Sequence, residues 1–342
     1  MTRLDKARGA LARAGAWSLG CLAGALVLSA SARNLEPWSG LEVVATGVVR
    51  PLQLAVDGSS LLVLGLDSRG DAAGELYRID LTGPLPVDLA RQPRIQIPFP
   101  DAWTATLGSL AVSPRTRELF LGDENGGRIW RLGPENRLTL YAQGLKRLMG
   151  GSTLAFDGRG RLLIVDHVDP GLSPKEDLQT PGLEQFRDED YRGPLVFRLD
   201  LDPAIRLPRE VGRLAPLFPR GWNGPAGGVF LPRLVAVAPR AHDLVVLSSA
   251  GELFTIADGV ALVPLAKLPP GQYHRVNMVA ASDGVVYVSA GFWVARVFRV
   301  SPAGTVTTMA ADVADPQGIA LDAGGNVYVA ESSLHRILRI KP

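Results

Sequence analysis

Apolar and polar residues alternate along most of the chain in short runs, and Gly, Asn, Asp, Ser or Pro break each run. The stretch DVADPQGIALDAGGNVYVAESSLHRILRIK, at the C-terminal end, shows the pattern most clearly. Ile319, Ala320 and Leu321 form a first apolar run, and a glycine-rich turn follows at residues 322–326. In the next run Val327 and Val329 fall on one face, with Tyr328 and Ala330 on the other. A third run passes from His335 through Ile337 and Leu338 to Ile340. A period of two in β-branched and aromatic residues predicts strands, and the turn residues between them predict an antiparallel meander. Both faces of such a meander are apolar, so it needs copies of itself as neighbours.

The copies are present. PLQLAVD leads to SLLVLGLD and GELYRIDL, and GSLAVS leads to ELFLGD, RIWRL and RLTLYAQG. GSTLAFD leads to RLLIVD and, after a gap, PLVFRLDL. LVAVA leads to DLVVLSS, ELFTIA and VALVPLA, and NMVA leads to VVYVSAG, ARVFRV and TVTTMAA. With the terminal unit there are six, and the undisturbed ones recur about every 41–42 residues, the spacing of four-stranded propeller blades. The chain is therefore expected to be an all-β, six-bladed propeller of four-stranded antiparallel blades over residues 41–342. The sixth copy lacks an outer strand, and LEVVAT precedes the first copy. That N-terminal run is expected to supply the missing strand and close the ring.

Two stretches depart from the repeat. Polar insertions are expected at about residues 167–193, inside the third unit, and 203–232, after it. Excursions of this length serve as lids or as ornament.

The N-terminus differs in kind. Arg3, Lys6, Arg8 and Arg13 precede an apolar run over residues 14–28, and Ala30-Ser31-Ala32 offers a small-residue cleavage site. Residues 1–32 read as a secretory signal peptide, or as an uncleaved anchor, with residues 33–40 as a linker. The expected location is outside the cytoplasm, periplasmic or secreted, with membrane contact only through that segment if it is retained. Cys21 is the only cysteine, but Ser18 stands where a lipoprotein signal carries a large apolar residue. Cleavage leaves a domain without thiols, which suits an oxidising compartment and excludes cysteine catalysis.

Charge narrows the partners. The 36 Lys and Arg balance 34 Asp and Glu, for a net charge of +2, and no basic run stands out. Nucleic acid is not an expected partner. No Gly-x-Ser-x-Gly elbow, P-loop or dinucleotide fingerprint is present.

Strands A to D are counted from the axis outwards. Strand A begins, and strand B ends, on one face of the ring, so residues there meet at one mouth of the channel. That rule collects Leu52, Gln53, Gly108, Ser109, Ser152, Asn277 and Gln317 from A strands. From B strands it collects Asp67, Asp123, Asp166, His167, Ser248, Ser249 and Glu331. The carboxylates form an acidic arc able to offer oxygen ligands to a cation. They are equally suited to accept N–H groups of their own turns, or to pair with Arg128 or Arg336. His167, His274 and His335 share the face, but none has a closely spaced partner of the kind zinc sites use. His167 beside Asp166 is a candidate general base.

The terminal unit, through Pro316, Gly318, Asp322, Gly325-Asn326, Tyr328, Glu331, His335-Arg336 and Ile337, closely resembles an NHL repeat. The looser copies resemble six-bladed propellers of the gluconolactonase/regucalcin and strictosidine-synthase-like groups. The gluconolactonase resemblance implies a channel metal held by a Glu of the first inner strand and by Asn or Asp of later ones. Here those positions carry Leu52, Gly108, Ser152, Asn277 and Gln317, a poor set for a hard cation. The strictosidine-synthase-like resemblance implies a channel glutamate, for which Glu331 is the regular rim position.

The expected function is therefore binding of a small molecule or partner protein at the channel face, without catalysis. The expected ligand residues are Asp123, Asp166, His167, Asn277, Gln317 and Glu331. No cofactor is expected, and calcium is the divalent metal to test. A lactone or ester hydrolase with an atypical site is the alternative, and a structural envelope role is the third.

Overall fold

The computed structural model describes residues 40–66, 74–100, 105–124, 126–145, 148, 153–166, 195–211, 214, 217, 234–240, 243–257, 261–273 and 275–341. Residues 1–39, the 167–193 insertion and most of 203–232 lie outside the described residues. Among the described residues, no helix is long and apolar enough to cross a membrane.

Six sheets form a ring. Strand β1 (Leu41–Thr46) comes first in the chain but belongs to the last sheet. Blade one holds β2 (Pro51–Asp57), β3 (Ser60–Gly65) and β4 (Glu75–Asp80), followed by the short β5 (Val87–Asp88). Blade two holds β6 (Leu107–Val112), β7 (Leu119–Asp123), β8 (Arg128–Leu132) and β9 (Leu138–Gln143). Blade three holds β10 (Leu154–Phe156), β11 (Leu162–Asp166) and β12 (Leu195–Leu199), followed by β13 (Arg209–Glu210). Blade four runs through β14 (Leu234–Pro239), β15 (Leu244–Ser248), β16 (Glu252–Ala257) and β17 (Ala261–Lys267). Blade five has β18 (Asn277–Ala280), β19 (Val286–Ser289), β20 (Arg296–Val300) and β21 (Val306–Ala311). A single helical turn, α1 (Gly291–Val294), sits between β19 and β20. Blade six has β22 (Pro316–Leu321), β23 (Val327–Glu331) and β24 (Arg336–Ile340).

The ring closes as the missing strand requires. β1 pairs antiparallel with β24, from Leu41 opposite Ile340 to Thr46 opposite Arg336, and Arg339 donates to Glu42 Oε2 at 2.6 Å.

Period-two alternation explains the core. Each blade sends alternate side chains to the blade on either side, which gives six apolar clusters at six blade-to-blade seams. Leu61 and Val63 of β3 pack towards blade six, while Leu62 and Leu64 pack towards blade two. Leu162 and Ile164 of β11 meet blade two, while Leu163 and Val165 meet blade four. Val327 and Val329 face blade five, and Tyr328 and Ala330 face blade one. Shifting a strand by one residue would swap the two sets, so each blade's register is fixed on both sides. Truncating one of these fully buried leucines to Ala costs about 2–5 kcal/mol.

The expectation of four strands per blade holds for blades two, four and five, and for blade six once β1 is counted; among the described residues blades one and three have three, with only single outer links where Ile95 bridges Leu76 and the Leu217 N–H donates to the Val196 carbonyl. The short segments just after their third strands pair with another blade. β5 pairs parallel with β1 of blade six, and β13 pairs parallel with β9 of blade two. Local chemistry drives the departure. Asp80 accepts the Thr82 N–H (2.9 Å) and Asp202 accepts the Ala204 N–H (2.8 Å), so an Asx turn forms after each third strand instead of a hairpin. Each short segment then covers the outer edge of the preceding blade, an edge that would otherwise invite pairing with other chains.

Candidate functional site

The channel wall is built from the inner strands β2, β6, β10, β14, β18 and β22, and its two ends differ. At the end where these strands begin, the wall is polar and buried: Gln53, Ser109, Asn277 and Gln317 are at most 5% exposed. Ser289 Oγ ties two of these strands together. It accepts the Asn277 N–H at 3.3 Å and donates to the Gln317 carbonyl of the neighbouring blade. Gln317 Nε2 donates to Asp315 at 2.7 Å. Gly318 lets β22 approach β2: a Cβ there would lie 2.7 Å from the Gln53 Cα and the Leu54 nitrogen.

The rim carboxylates at this end are engaged with their own turns. Asp123 Oδ1 accepts the Thr106 and Gly126 N–H groups, each at 3.1 Å, and Oδ2 lies 3.9 Å from Arg128. Glu331 accepts the Ala314 N–H at 2.8 Å and pairs with Arg336 through its other oxygen. Asp166 is buried at the end of β11, opposite Leu195 of β12. His335 Nδ1 accepts the Arg50 N–H at 2.9 Å, which fastens blade six to the start of blade one. His167, His274, Asp67 and Ser152 lie outside the described residues. The structure thus brings Asn277 and Gln317 together and leaves Asp123, Asp166 and Glu331 at separate blade ends. Among the described residues, no three His, Cys, Asp or Glu side chains gather as a metal site would need. Leu52, where the gluconolactonase resemblance implies a ligand carboxylate, is buried.

An ion pair at this end is absent from the sequence reading. Glu124 follows β7 and lies over Gly108, in the space that a side chain there would occupy. Its Oε2 is 3.6 Å from Arg275, which precedes β18. Blades two and five stand opposite each other in a six-membered ring, so the pair spans the channel. The available signal was the side-chain-free Gly108, which leaves room for a neighbour's carboxylate.

The other end is open and carries more apolar residues. A cavity of about 600 Å³ is lined by residues of all six inner strands, including Leu54, Leu110, Phe156, Met278, Ile319 and Leu321. Exposure of the wall rises towards the A–B turns, from buried Gln53 to exposed Pro114, Gly158 and Ser282. The charged groups lining this mouth are satisfied. Asp157 accepts the Arg159 and Arg161 N–H groups (both 2.9 Å) and Arg161 Nε (2.7 Å). Arg240 forks onto Asp243 at 2.7 and 2.6 Å, which raises the pKa of its guanidinium. Asp123, Asp166, Asn277, Gln317 and Glu331 are not among the described residues lining this cavity.

Ring and channel together define a six-bladed β-propeller with an open cavity on its axis. Among solved structures, it is similar to a streptogramin B lyase, with a TM-score of 0.53 and 12% identity over 90% of this chain and 99% of that one. It is also similar to a gluconolactonase from Xanthomonas campestris, with a TM-score of 0.53 and 16% identity over 88% of this chain and 89% of that one. These likenesses establish the fold. No protein-family model and no curated protein matches the chain by sequence.

Proposed function

We propose that this chain is an extracytoplasmic, non-enzymatic binding propeller that holds a small apolar molecule in its axial cup. The observation that carries the reading is the cavity itself. Its volume of about 600 Å³ lies within the range of small-molecule sites, and apolar residues of the inner strands line it together with Gln53, Asp157, Arg240 and Ser282. Burial of apolar ligand surface there is favourable by roughly 25 cal/mol per Å². The lactonase and lyase activities of the structural neighbours are not carried over. At the strand-start end, the described carboxylates Asp123 and Glu331 are held by backbone N–H groups and arginines, a structural use that leaves them poorly placed as acid or base.

The test is displacement of the neutral fluorophore N-phenyl-1-naphthylamine by medium-chain alcohols. Wild type is expected to bind the fluorophore one-to-one. Ser282→Trp, at an exposed position of the cavity wall, is expected to weaken that binding at least about tenfold with a fold intact by circular dichroism. Unchanged binding in Ser282→Trp removes the cavity as the site. Turnover of a sugar lactone that disappears in Asp123→Ala would replace the binding reading with the hydrolase one.

The extracytoplasmic location rests on the basic start, the apolar run and Ala30-Ser31-Ala32. N-terminal sequencing of protein from the native host is expected to start at or near Arg33. A start at Met1 or Thr2 would make the segment an anchor instead.

A further inference from the structure

Two planar side chains stand in the cavity wall, and neighbours hold both in place. Phe156, at the end of β10, is the single aromatic residue among the described residues lining the cavity. Its ring is the last of three in a row. Tyr141 of β9 packs edge-to-face with Phe120 of β7, with ring centroids 5.0 Å apart, and Phe120 packs likewise with Phe156 at 5.2 Å. The Tyr141 hydroxyl is fastened in turn to the Asp200 carbonyl at 3.3 Å. Tyr141 and Phe120 are buried, whereas Phe156 is half-buried. The row therefore starts at an outer strand and stops with part of a ring open to the cavity.

Arg240, just after β14 on the neighbouring blade four, is the second planar group. Its Nε and Nη2 donate to the two oxygens of Asp243, so one edge of the guanidinium is occupied and its charge is balanced. Arg240 lines the cavity, and Asp243 does not. The Arg240 stem lies by the blade-five turn, where a Cβ on Gly284 would be 3.5 Å from its Cδ. A guanidinium held by its edge still offers its face, and that face stacks on π systems. Asp157, the one acid in the wall, already accepts from Arg159 and Arg161, so its charge is balanced too. Charge therefore does not select the ligand, and ring geometry is what the wall has to offer.

We propose that the ligand of this cavity is a flat, uncharged aromatic molecule, stacked against Phe156 and the guanidinium face of Arg240. A bound ring would be the fourth member of the row of Tyr141, Phe120 and Phe156. Ring pairs are favourable beyond the area they bury, and rings already fixed by their neighbours lose little freedom when a ligand arrives. The inference rests on the cavity being the ligand site, and the experiment separates the two.

The probes are 2-naphthol and decahydro-2-naphthol, which share a carbon skeleton and a hydroxyl and differ in the π system. Each is titrated against N-phenyl-1-naphthylamine bound to the full chain. Burial of apolar area alone favours the saturated compound, which has the larger apolar surface. Wild type is instead expected to prefer 2-naphthol by about fivefold. Phe156→Leu is expected to abolish that preference, and Arg240→Met to reduce it about twofold. Circular dichroism checks the fold of each variant. Equal binding of the two probes by wild type, or tighter binding of the saturated one, overturns the aromatic ligand while leaving the cavity standing. A preference that survives in Phe156→Leu also overturns it. Should that variant not fold, a preference undiminished in Arg240→Met does the same. Displacement by both probes that is as tight in Ser282→Trp as in wild type overturns the cavity itself, and this inference with it.

Discussion

The two ends of the channel are made from the same six strands and have opposite characters. Where the strands begin, Gln53, Ser109, Asn277 and Gln317 are buried, and Glu124 and Arg275 meet across the axis. Where they end, Leu110, Phe156, Met278 and Leu321 line an open hollow, and charge is confined to the turns. The difference teaches that polar residues gathered at one end of a channel can serve the wall itself. At the first end Ser289 ties β18 to β22 and Gln317 donates to Asp315, so part of the buried polar set links the inner strands. The second end needs no such linkage, since its turns are closed locally by Asp157 and Asp322.

The sharpest way to break this comparison is at Glu331. Glu331→Ala leaves the Ala314 N–H and Arg336 without their carboxylate in a buried setting. It is expected to destabilise the fold by about 2–4 kcal/mol. Urea unfolding measures this, and a midpoint at the wild-type concentration would show that the strand-start end is not held by these contacts.

Arg275→Gln tests the strut with a smaller effect. The pair is partly exposed, so the expected loss of stability is about 1 kcal/mol or less. The informative readout is kinetic. With the pair gone the strand-start end of the channel loses a link across the axis, and stopped-flow exchange of N-phenyl-1-naphthylamine is expected to quicken. Unchanged exchange would mean that the polar layer alone closes the channel.

The smallest effect belongs to the open end. Burial pushes the Asp322 carboxyl up, but hydrogen bonds from Asn326, Tyr328 and Gly324 outweigh it and hold its pKa below the ordinary value. A carboxylate depressed in the folded state adds stability above its unfolded pKa of about 4 and loses it as pH falls through the folded value. Asp322→Asn is therefore expected to cost no more than about 1 kcal/mol at neutral pH, after allowance for solvent screening. The gap between variant and wild type should close on acidification below about pH 4. A gap that stays constant with pH would mean that the amide replaces the carboxylate in geometry only.

Much of the ring was legible in the residues, and the reasons are local. Period-two runs such as Leu61 to Leu64 and Val327 to Ala330 report directly which neighbour each side chain meets. The absent strand after Ile340 announced the role of β1. The crossings at β5 and β13 were not legible, because a two-residue bridge such as Val87–Asp88 has no period. Their signal was chemical: Asp80 and Asp202 each precede an Asx turn where a hairpin would otherwise form. At the channel, Asn277 and Gln317 were correctly placed at one end. Collecting polar residues drew attention to the strand-start end, whereas the cavity at the other end is lined by residues of the period-two runs themselves. The Glu124–Arg275 pair escaped because the two residues sit in irregular segments far apart in sequence.

The pairing of β1 with β24 has a mechanical consequence. Leu41 opposes Ile340, so the outward-leading ends of the two strands lie side by side. A force applied at Gly40 and Lys341 would load the clasp one hydrogen-bonded pair at a time, as a zip opens, and would not shear all pairs together. The parallel bridges from Ala45 to Val87 and Thr46 to Asp88 lie at the far end of that zip and are reached last. The ring can therefore yield at its clasp to a modest pull on its ends. Its first mechanical product would be blade six stripped of its outer strand, with the other five blades still closed.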